Sequence, residues 1–556
     1  MAFPKPLKID PARLVIDDGK VIDAAHGDWY FQYDGLDGTQ HVYLGGSGLL
    51  DMLAAGDDVV VAEIGFGTGL TYRLVQDAVA ASGSQSRVHY IGVEARPLNA
   101  AQAQTANDLR PEPLRWHPAT DLPRPGFVTS VQDEDLLLLH GDACDALSRL
   151  SAHVDVWFLD GFSPAKNPNL WTPELFAQMA RLSGPGARLS TFTAAGDVRR
   201  GLEQAGFDVE KRTGWAKKRE HLTARFEGTW TPRPQPASPL IIAGAGIAGL
   251  TLALEARRLG WPAILHGTGE AAQGSAVPHA LVNYRPSGDV GPLGQLRRAG
   301  FFHLSDYAAS ARFGVDALVS DAKLRHRWDS ETDVEHQWIT ADRVRVPAAL
   351  SLDTAAFRAR VLEQVDHRPE SLTKLPNVGP VVLAAGLGTA ALLEGLSLRA
   401  NRGQQDLLSL DQPLTHPLNF GRLLLPADSE GQAWLGASFD RDPPTDWQHP
   451  RSSDSADNLA RLRAALPDLA ARAAGRTWVG LRATTPDHLP LAGWHSDDLG
   501  ILTGLGSKGY LYAPILASSL LSQALALPLP VERWVWEALT PLRHRQRLSQ
   551  HLAGKT

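Results

Sequence analysis

The sequence predicts an α/β protein made of two doubly wound, mostly parallel sheets in tandem, the second accompanied by an α+β portion. Three observations predict it. A strand, a glycine turn and a helix follow one another in "DVVVAEIGFGTGLTYRLVQDAV", and the same succession restarts in "PLIIAGAGIAGLTLALEARRLGWPAILHG". Between them "GTWTPRPQPASP" (Gly228 to Pro239) carries four prolines, which exclude regular structure and make a stiff connector. At 556 residues the chain is also too long for one core. The expected division is therefore residues 1–230, a linker over 231–239, and residues 240–556, with a substrate-facing subdomain within 287–480.

In the first half, strands and helices alternate after the first glycine turn: "RVHYIGVEA", "DLLLLHGDACDAL" and "VDVWFLDG" each start with an apolar run. "ARLSTFTA" leads into the helical "GDVRRGLEQAG", and "FDVEKRT" and "HLTARFE" read as a closing pair of strands. Alternation of this kind makes a parallel sheet, and such sheets bind ligands at the carboxyl ends of their strands. In the second half, "PVVLAAGLGT" and "LGILTGLGSKGYLYAPILASSL" are two further strand-to-loop entries into the nucleotide-binding fold, and the region Ser287 to Val378 interrupts the alternation.

Bulk properties narrow the function classes. With 44% hydrophobic and 21% charged residues the composition is that of an ordinary globular protein. The single cysteine, Cys144, excludes an intramolecular disulfide and a multi-cysteine metal site, and no metal is expected. The N-terminal stretch lacks an apolar signal core, and no apolar run is long enough to span a bilayer. A cytoplasmic monomer without membrane association is the expectation. A net charge of −7 weighs against a nucleic-acid partner, yet phosphate binding depends on local patches, and "KRTGWAKKREH", "KLRHRW" and "RHRQR" are such patches.

Strand ends carry the chemistry of the first half. Glu63, Gly65, Gly67 and Gly69 form "EIGFGTG", where glycines permit a sharp turn and leave room for a ligand against the backbone. The loop lacks the Gly-Lys-Ser/Thr ending of a triphosphate site. Glu94 ends the second strand, placed to accept from ribose hydroxyls, and Asp142 follows the third, placed near an adenine. This succession resembles the class I S-adenosylmethionine-dependent methyltransferases, which have a Rossmann-like fold. Asp160 ends the fourth strand in "FLDGFSPAKNPNLWTP". A carboxylate there can accept an amine hydrogen bond and stabilise a developing ammonium, and Phe162 can stack on a base. The same acid also suits capping of the next helix, and the residues alone leave both readings open.

In the second half Gly244, Gly246 and Gly249 have the Gly-x-Gly-x-x-Gly spacing between a strand and a helix, whose N-terminus receives a pyrophosphate. The next strand ends on His266 and Gly267, where an acid usually holds the ribose; Glu270 follows shortly after. "GLRATTPDHLPLAGW" followed by "GLGSKGY" resembles the C-terminal signature of the D-amino-acid-oxidase-like flavoproteins. That resemblance implies FAD, with Gly504 and Gly506 against the flavin, Arg482 facing a substrate carboxylate and Lys508 close to the flavin. A structural ion pair is the alternative reading of Arg482.

Together, "AEIGFGTGL", "LDGFSPAKNPNLW" and "GAGIAGL" resemble the bifunctional tRNA 5-methylaminomethyl-2-thiouridine biosynthesis family, over almost the whole chain. The resemblance implies S-adenosylmethionine and FAD as cofactors and the wobble uridine of a tRNA anticodon stem-loop as substrate. It further implies FAD-dependent removal of a carboxymethyl group to leave a primary amine, then methylation of that amine. On this reading Asp160, Phe162, Arg482 and Lys508 serve the chemistry, and Lys217, Lys218 and Arg219 meet tRNA phosphates. Two other functions compete: a small-molecule amine oxidase joined to an N-methyltransferase, and a tRNA methyltransferase whose second half is only a binding scaffold.

Overall fold

The computed structural model of the protein describes residues 3–30, 35–109, 123–129, 135–216, 219–233, 236–268, 274–303, 307, 311–376, 379–412, 414–441, 443 and 445–543. The chain divides into two compact units, Met1–Gln235 with Ser522–Arg533, and Pro236–Leu521 with Trp534–Thr556.

The first unit is organised by an eight-stranded sheet ordered Phe207–Thr213, Glu220–Phe226, Ser183–Thr191, Val154–Leu159, Val59–Ile64, Val88–Glu94, Leu136–His140 and Gly126–Thr129. The central strands run parallel, and antiparallel pairs close both edges. Every residue of Val59–Ile64 and Val154–Leu159 is buried, as expected for strands covered on both faces. Trp157, Phe158, Tyr72, Tyr90 and Phe176 are the largest side chains of this core. Register then brings the strand ends together: Ile64 lies beside both Leu159 and Val93, and Glu94 beside His140. Asp160, the Gly65 turn, Glu94 and Asp142 therefore emerge along one edge.

Ahead of this sheet stand a small antiparallel sheet, Leu14–Asp17, Lys20–Asp23 and Asp28–Trp29, and the helical turns Gly35–Thr39, Gln40–Gly45 and Leu49–Ala55. The turn at Gln40–Gly45 is π-helical, a geometry frequent at functional sites.

The second unit carries two sheets. One orders Asp366–Arg368, Ala263–His266, Leu240–Ala243, Val381–Leu383, Leu499–Thr503 and Leu491–Ser496, parallel except for the last pair. The other has ten strands and interrupts the first in sequence, running from His279–Val282 to Ala471–Thr484. Its longest pairing joins Arg399–Leu410 to Ala471–Thr484. No helix among the described residues is long and apolar enough to cross a membrane.

Candidate functional site

A cavity of about 920 Å³ opens at the carboxyl edge of the first unit's sheet. The glycine turn forms its wall. Gly65, Gly67 and Gly69 have φ of +93°, +52° and +72°, conformations that L side chains rarely adopt. A Cβ on Gly65 would fall 2.7 Å from the Asp160 carbonyl oxygen, so the turn passes directly against the neighbouring strand end. Glu94 secures the turn by accepting from the Gly67 amide at 2.9 Å and from the Arg96 amide at 2.8 Å. Burial pushes its carboxyl pKa up, against those two hydrogen bonds. Asp142 also lines the cavity, and one of its oxygens caps the helix Ala143–Arg149 by accepting from the Asp145 amide at 3.0 Å. Two carboxylates, a positive-φ glycine cradle and a large cleft suit a nucleoside-bearing cofactor, so the residues present fit S-adenosylmethionine.

Asp160 is on the cavity wall and is not the cap of the helix that follows its loop. The helix Pro173–Leu182 is capped instead by Thr172, whose hydroxyl accepts from the Leu175 amide. Asp160 Oδ1 accepts from the Tyr43 hydroxyl at 2.6 Å and Oδ2 from the Thr71 hydroxyl at 3.3 Å. Glu63, on the same cavity wall, accepts from the Tyr90 hydroxyl at 2.8 Å. Burial, with the Asp160 charge adding, holds the Glu63 carboxyl well above its usual range. The same two causes raise the Tyr43 phenol. Sequence reading missed Tyr43: it sits in the π-helical turn, and no local motif announces it.

The proline-bearing loop after Asp160 is held on both sides. The Ser163 amide and hydroxyl donate to Asp28 at 2.9 and 2.8 Å, and Trp171 Nε1 donates to the Phe162 carbonyl at 3.0 Å. The loop packs closely here: a Cβ on Gly161 would fall 1.8 Å from a Leu170 methyl. The Phe162 ring packs against Tyr30 and His26, centroids 5.4 and 5.0 Å apart, and lines the cavity. At the mouth, the tip between Phe207–Thr213 and Glu220–Phe226 contributes Gly214, Trp215, Arg219 and His221. Lys217 and Lys218 lie outside the described residues, as do Arg545 and Arg547 of "RHRQR".

A second cavity, about 890 Å³, lies in the second unit. Gly244 has a φ of +120°, and a Cβ there would fall 2.6 Å from the Ala384 carbonyl. Gly246 starts the helix Ile247–Arg258. Gly249 passes so near the turn that a Cβ would meet the Gly244 oxygen at 1.8 Å. Gly504 and Gly506, with φ of +71° and +60°, also line the cavity. The Gln405 Oε1 atom is buried on the cavity wall with no hydrogen-bond partner among the described residues. Such a cleft, with a glycine turn at a helix start and an unmatched acceptor, fits FAD.

The expected ribose acid Glu270 lies outside the described residues. A different acid reaches that strand end: Glu370 follows the strand Asp366–Arg368, which pairs with Ala263–His266, and stands 3.6 Å from His266 Nδ1.

Arg482 lies on the wall, its guanidinium spread over Gly403, where a Cβ would fall 2.2 Å from Nη2. It donates to the Ser438 carbonyl at 3.4 Å, and among the described residues no carboxylate pairs with it. Burial lowers its pKa to about 10, with the charge of Arg422 adding. Arg422 itself is engaged by Asn458 and Asp457. Lys508 departs from expectation. It closes the short 3₁₀ turn Gly506–Lys508 but does not line the cavity, while Gly506, Ser507, Gly509 and Tyr510 do. Desolvation foremost, with the charges of Arg297 and Arg285 adding, lowers its pKa to about 8.

Comparison with known proteins agrees with both cavities. A family model described as an S-adenosyl-L-methionine-dependent methyltransferase matches residues 122–227. One described as an FAD dependent oxidoreductase matches residues 354–523. A relative from Caulobacter vibrioides named tRNA 5-methylaminomethyl-2-thiouridine biosynthesis bifunctional protein MnmC is 36% identical, over 93% of this chain and 95% of its own length. The protein of that name from Maricaulis maris is 32% identical, over 98% of each chain.

Proposed function

The chain belongs to the family of bifunctional tRNA 5-methylaminomethyl-2-thiouridine biosynthesis proteins, and from that premise we propose that it performs two successive steps on the wobble uridine of a tRNA anticodon stem-loop. The first is FAD-dependent removal of the carboxymethyl group from 5-carboxymethylaminomethyl-(2-thio)uridine, which leaves a primary amine. The second is S-adenosylmethionine-dependent methylation of that amine. The observation that carries the reading is the presence, in one chain, of an arginine-walled cavity suited to a glycine-like carboxylate and an acid-floored cavity suited to an amine.

In the second unit, Arg482 grips the substrate carboxylate, a task for which a planar guanidinium, charged across neutral pH, is matched. Its want of an acidic partner among the described residues supports this role over a structural ion pair. Gly244, Gly246, Gly249, Gly504 and Gly506 would hold FAD, which would supply a two-electron acceptor for the carbon between the carboxylate and the amine. Water then cleaves the resulting substrate imine, releasing the primary amine and a two-carbon oxo acid. Lys508 is given no part, since it stands off the cavity wall.

In the first unit, the glycine turn with Glu63, Glu94 and Asp142 holds S-adenosylmethionine, which supplies an electrophilic methyl group. Asp160 accepts a hydrogen bond from the incoming amine and stabilises the positive charge that develops on nitrogen. Tyr43 and Thr71 fix the carboxylate, so that positioning rather than proton removal carries most of the step. Phe162 offers a ring to the base, and Arg219 with Lys217 and Lys218 offers charge to phosphates.

The methyltransferase domain is taken as 1–230, the linker as 231–239 and the oxidoreductase domain as 240–556. A tRNA substrate puts this work in the cytoplasm. With both cavities on one chain, a monomer suffices.

The test is incubation with labelled S-adenosylmethionine and tRNA from cells lacking the protein. Label should enter the wobble nucleoside, and carboxymethylated tRNA should bleach the flavin absorbance band. Label entering a free amine but never tRNA would overturn the reading.

A further inference from the structure

The mouth of the first cavity carries an aromatic side chain that the two reaction steps leave unused. Trp215 stands at the tip between the strands Phe207–Thr213 and Glu220–Phe226, is 37% exposed, and lines the same cavity as Asp160. It is not loosely held. Its indole edge lies against Gly38, where a Cβ would meet Cδ1 at 3.1 Å, and the His41 ring supports it at 5.3 Å and 40°. His41 is anchored by a hydrogen bond to the Thr213 carbonyl at 2.9 Å, and His221 reaches the same carbonyl at 3.0 Å. Burial, with the charges of His41 and Arg212 adding, lowers the His221 pKa. An exposed indole with a fixed orientation beside a cavity mouth is a stacking surface, and among the described residues His41 is the one ring packed on it.

Charge at the tip points the same way. Lys211 is paired with Glu220 and Arg212 with Glu210. Arg219 lines the cavity, and among the described residues no ion pair engages it. One aromatic face and one uncommitted guanidinium at a single mouth match the base and the phosphate of an unpaired nucleotide.

We infer that Trp215 is a stacking platform for the base next to the modified uridine, with Arg219 on the adjoining phosphate. The inference rests on the tRNA reading above. To bring its C5 arm to Asp160, held by the buried Tyr43, the target base must leave the stack of the anticodon loop. The base it leaves loses a stacking partner, and Trp215 replaces that partner at the mouth. The platform selects single-stranded RNA without reading a sequence.

The test uses the full chain and anticodon stem-loop RNAs carrying 5-aminomethyluridine, either intact or with an abasic residue on the 5′ or the 3′ side of the target. Trp215→Leu, which keeps apolar bulk against Gly38 but removes the ring, should raise KM for the intact RNA about ten-fold. Its kcat and its affinity for S-adenosylmethionine, measured by calorimetry, should stay within about two-fold of wild type, and Trp215→Phe should restore most of the KM. One of the two abasic RNAs should cost wild type about the same factor and cost Trp215→Leu nothing further. An unchanged KM in Trp215→Leu overturns the inference. So does full additivity with both abasic RNAs, or a loss of cofactor affinity that would make Trp215 part of the donor pocket. If wild type methylates no RNA at all, it is the tRNA reading that fails.

Discussion

The reactive acid of the first unit is defined by its partners. Asp160 is reached by Tyr43 from 117 residues away, and it also accepts from the Thr71 hydroxyl. Tyr43→Phe removes a charge-assisted hydrogen bond of the kind worth about 1.5–3 kcal/mol. The methylation rate in single-turnover assays is expected to fall about ten-fold or more, with cofactor affinity unchanged. Arg482 gives a pH signature. Its pKa is lowered to about 10, chiefly by burial, so the guanidinium stays charged across neutral pH and loses its proton only as pH rises through that value. KM for carboxymethylated RNA is therefore expected to be flat from about pH 6 to 9 and to climb above pH 10. Arg482→Lys should raise KM at every pH, because an ammonium cannot grip a carboxylate bidentately. A KM for this variant equal to wild type would remove Arg482 from the site.

At the scale of elements, the two glycine turns do the same work by different packing. In the first unit positive φ dominates, and the turn presses on the Asp160–Gly161 backbone. In the second, Gly249 lets the helix Ile247–Arg258 close on Gly244, with no space for a methyl group. Gly249→Ala is expected to yield protein lacking the flavin absorbance band while still methylating aminomethylated RNA; a normal flavin content would contradict the packing argument. These turns were legible in the sequence because backbone geometry and close approach act within a few residues. The place of Lys508 off the cavity wall was not. Lys508 is absent from a cavity wall to which Gly506, Ser507, Gly509 and Tyr510 all contribute, and sequence spacing does not distinguish one position of a three-residue 3₁₀ turn from the next.

Across the whole molecule, each unit has its own sheet, its own glycine turn and its own cavity, so the two activities should separate by mutation. Asp160→Ala is expected to abolish methylation and leave flavin bleaching by carboxymethylated tRNA intact, with the aminomethyl nucleoside accumulating in mass spectra of wobble nucleosides. Methylation at the wild-type rate would return Asp160 to a structural role. The sequence by itself determined the α/β class, both cofactor turns and the acid at the end of Val154–Leu159, since strand, turn and helix signals are local and periodic. Tertiary structure alone decided which groups surround those signals. Tyr43 and Thr71 converge on Asp160, Thr172 takes the helix cap that Asp160 could have filled, and Glu370 reaches the strand end where an acid was missing. The physical reason is that hydrogen bonds and ion pairs act over a few ångströms in space, and only sheet register and packing bring residues so far apart in sequence within that range.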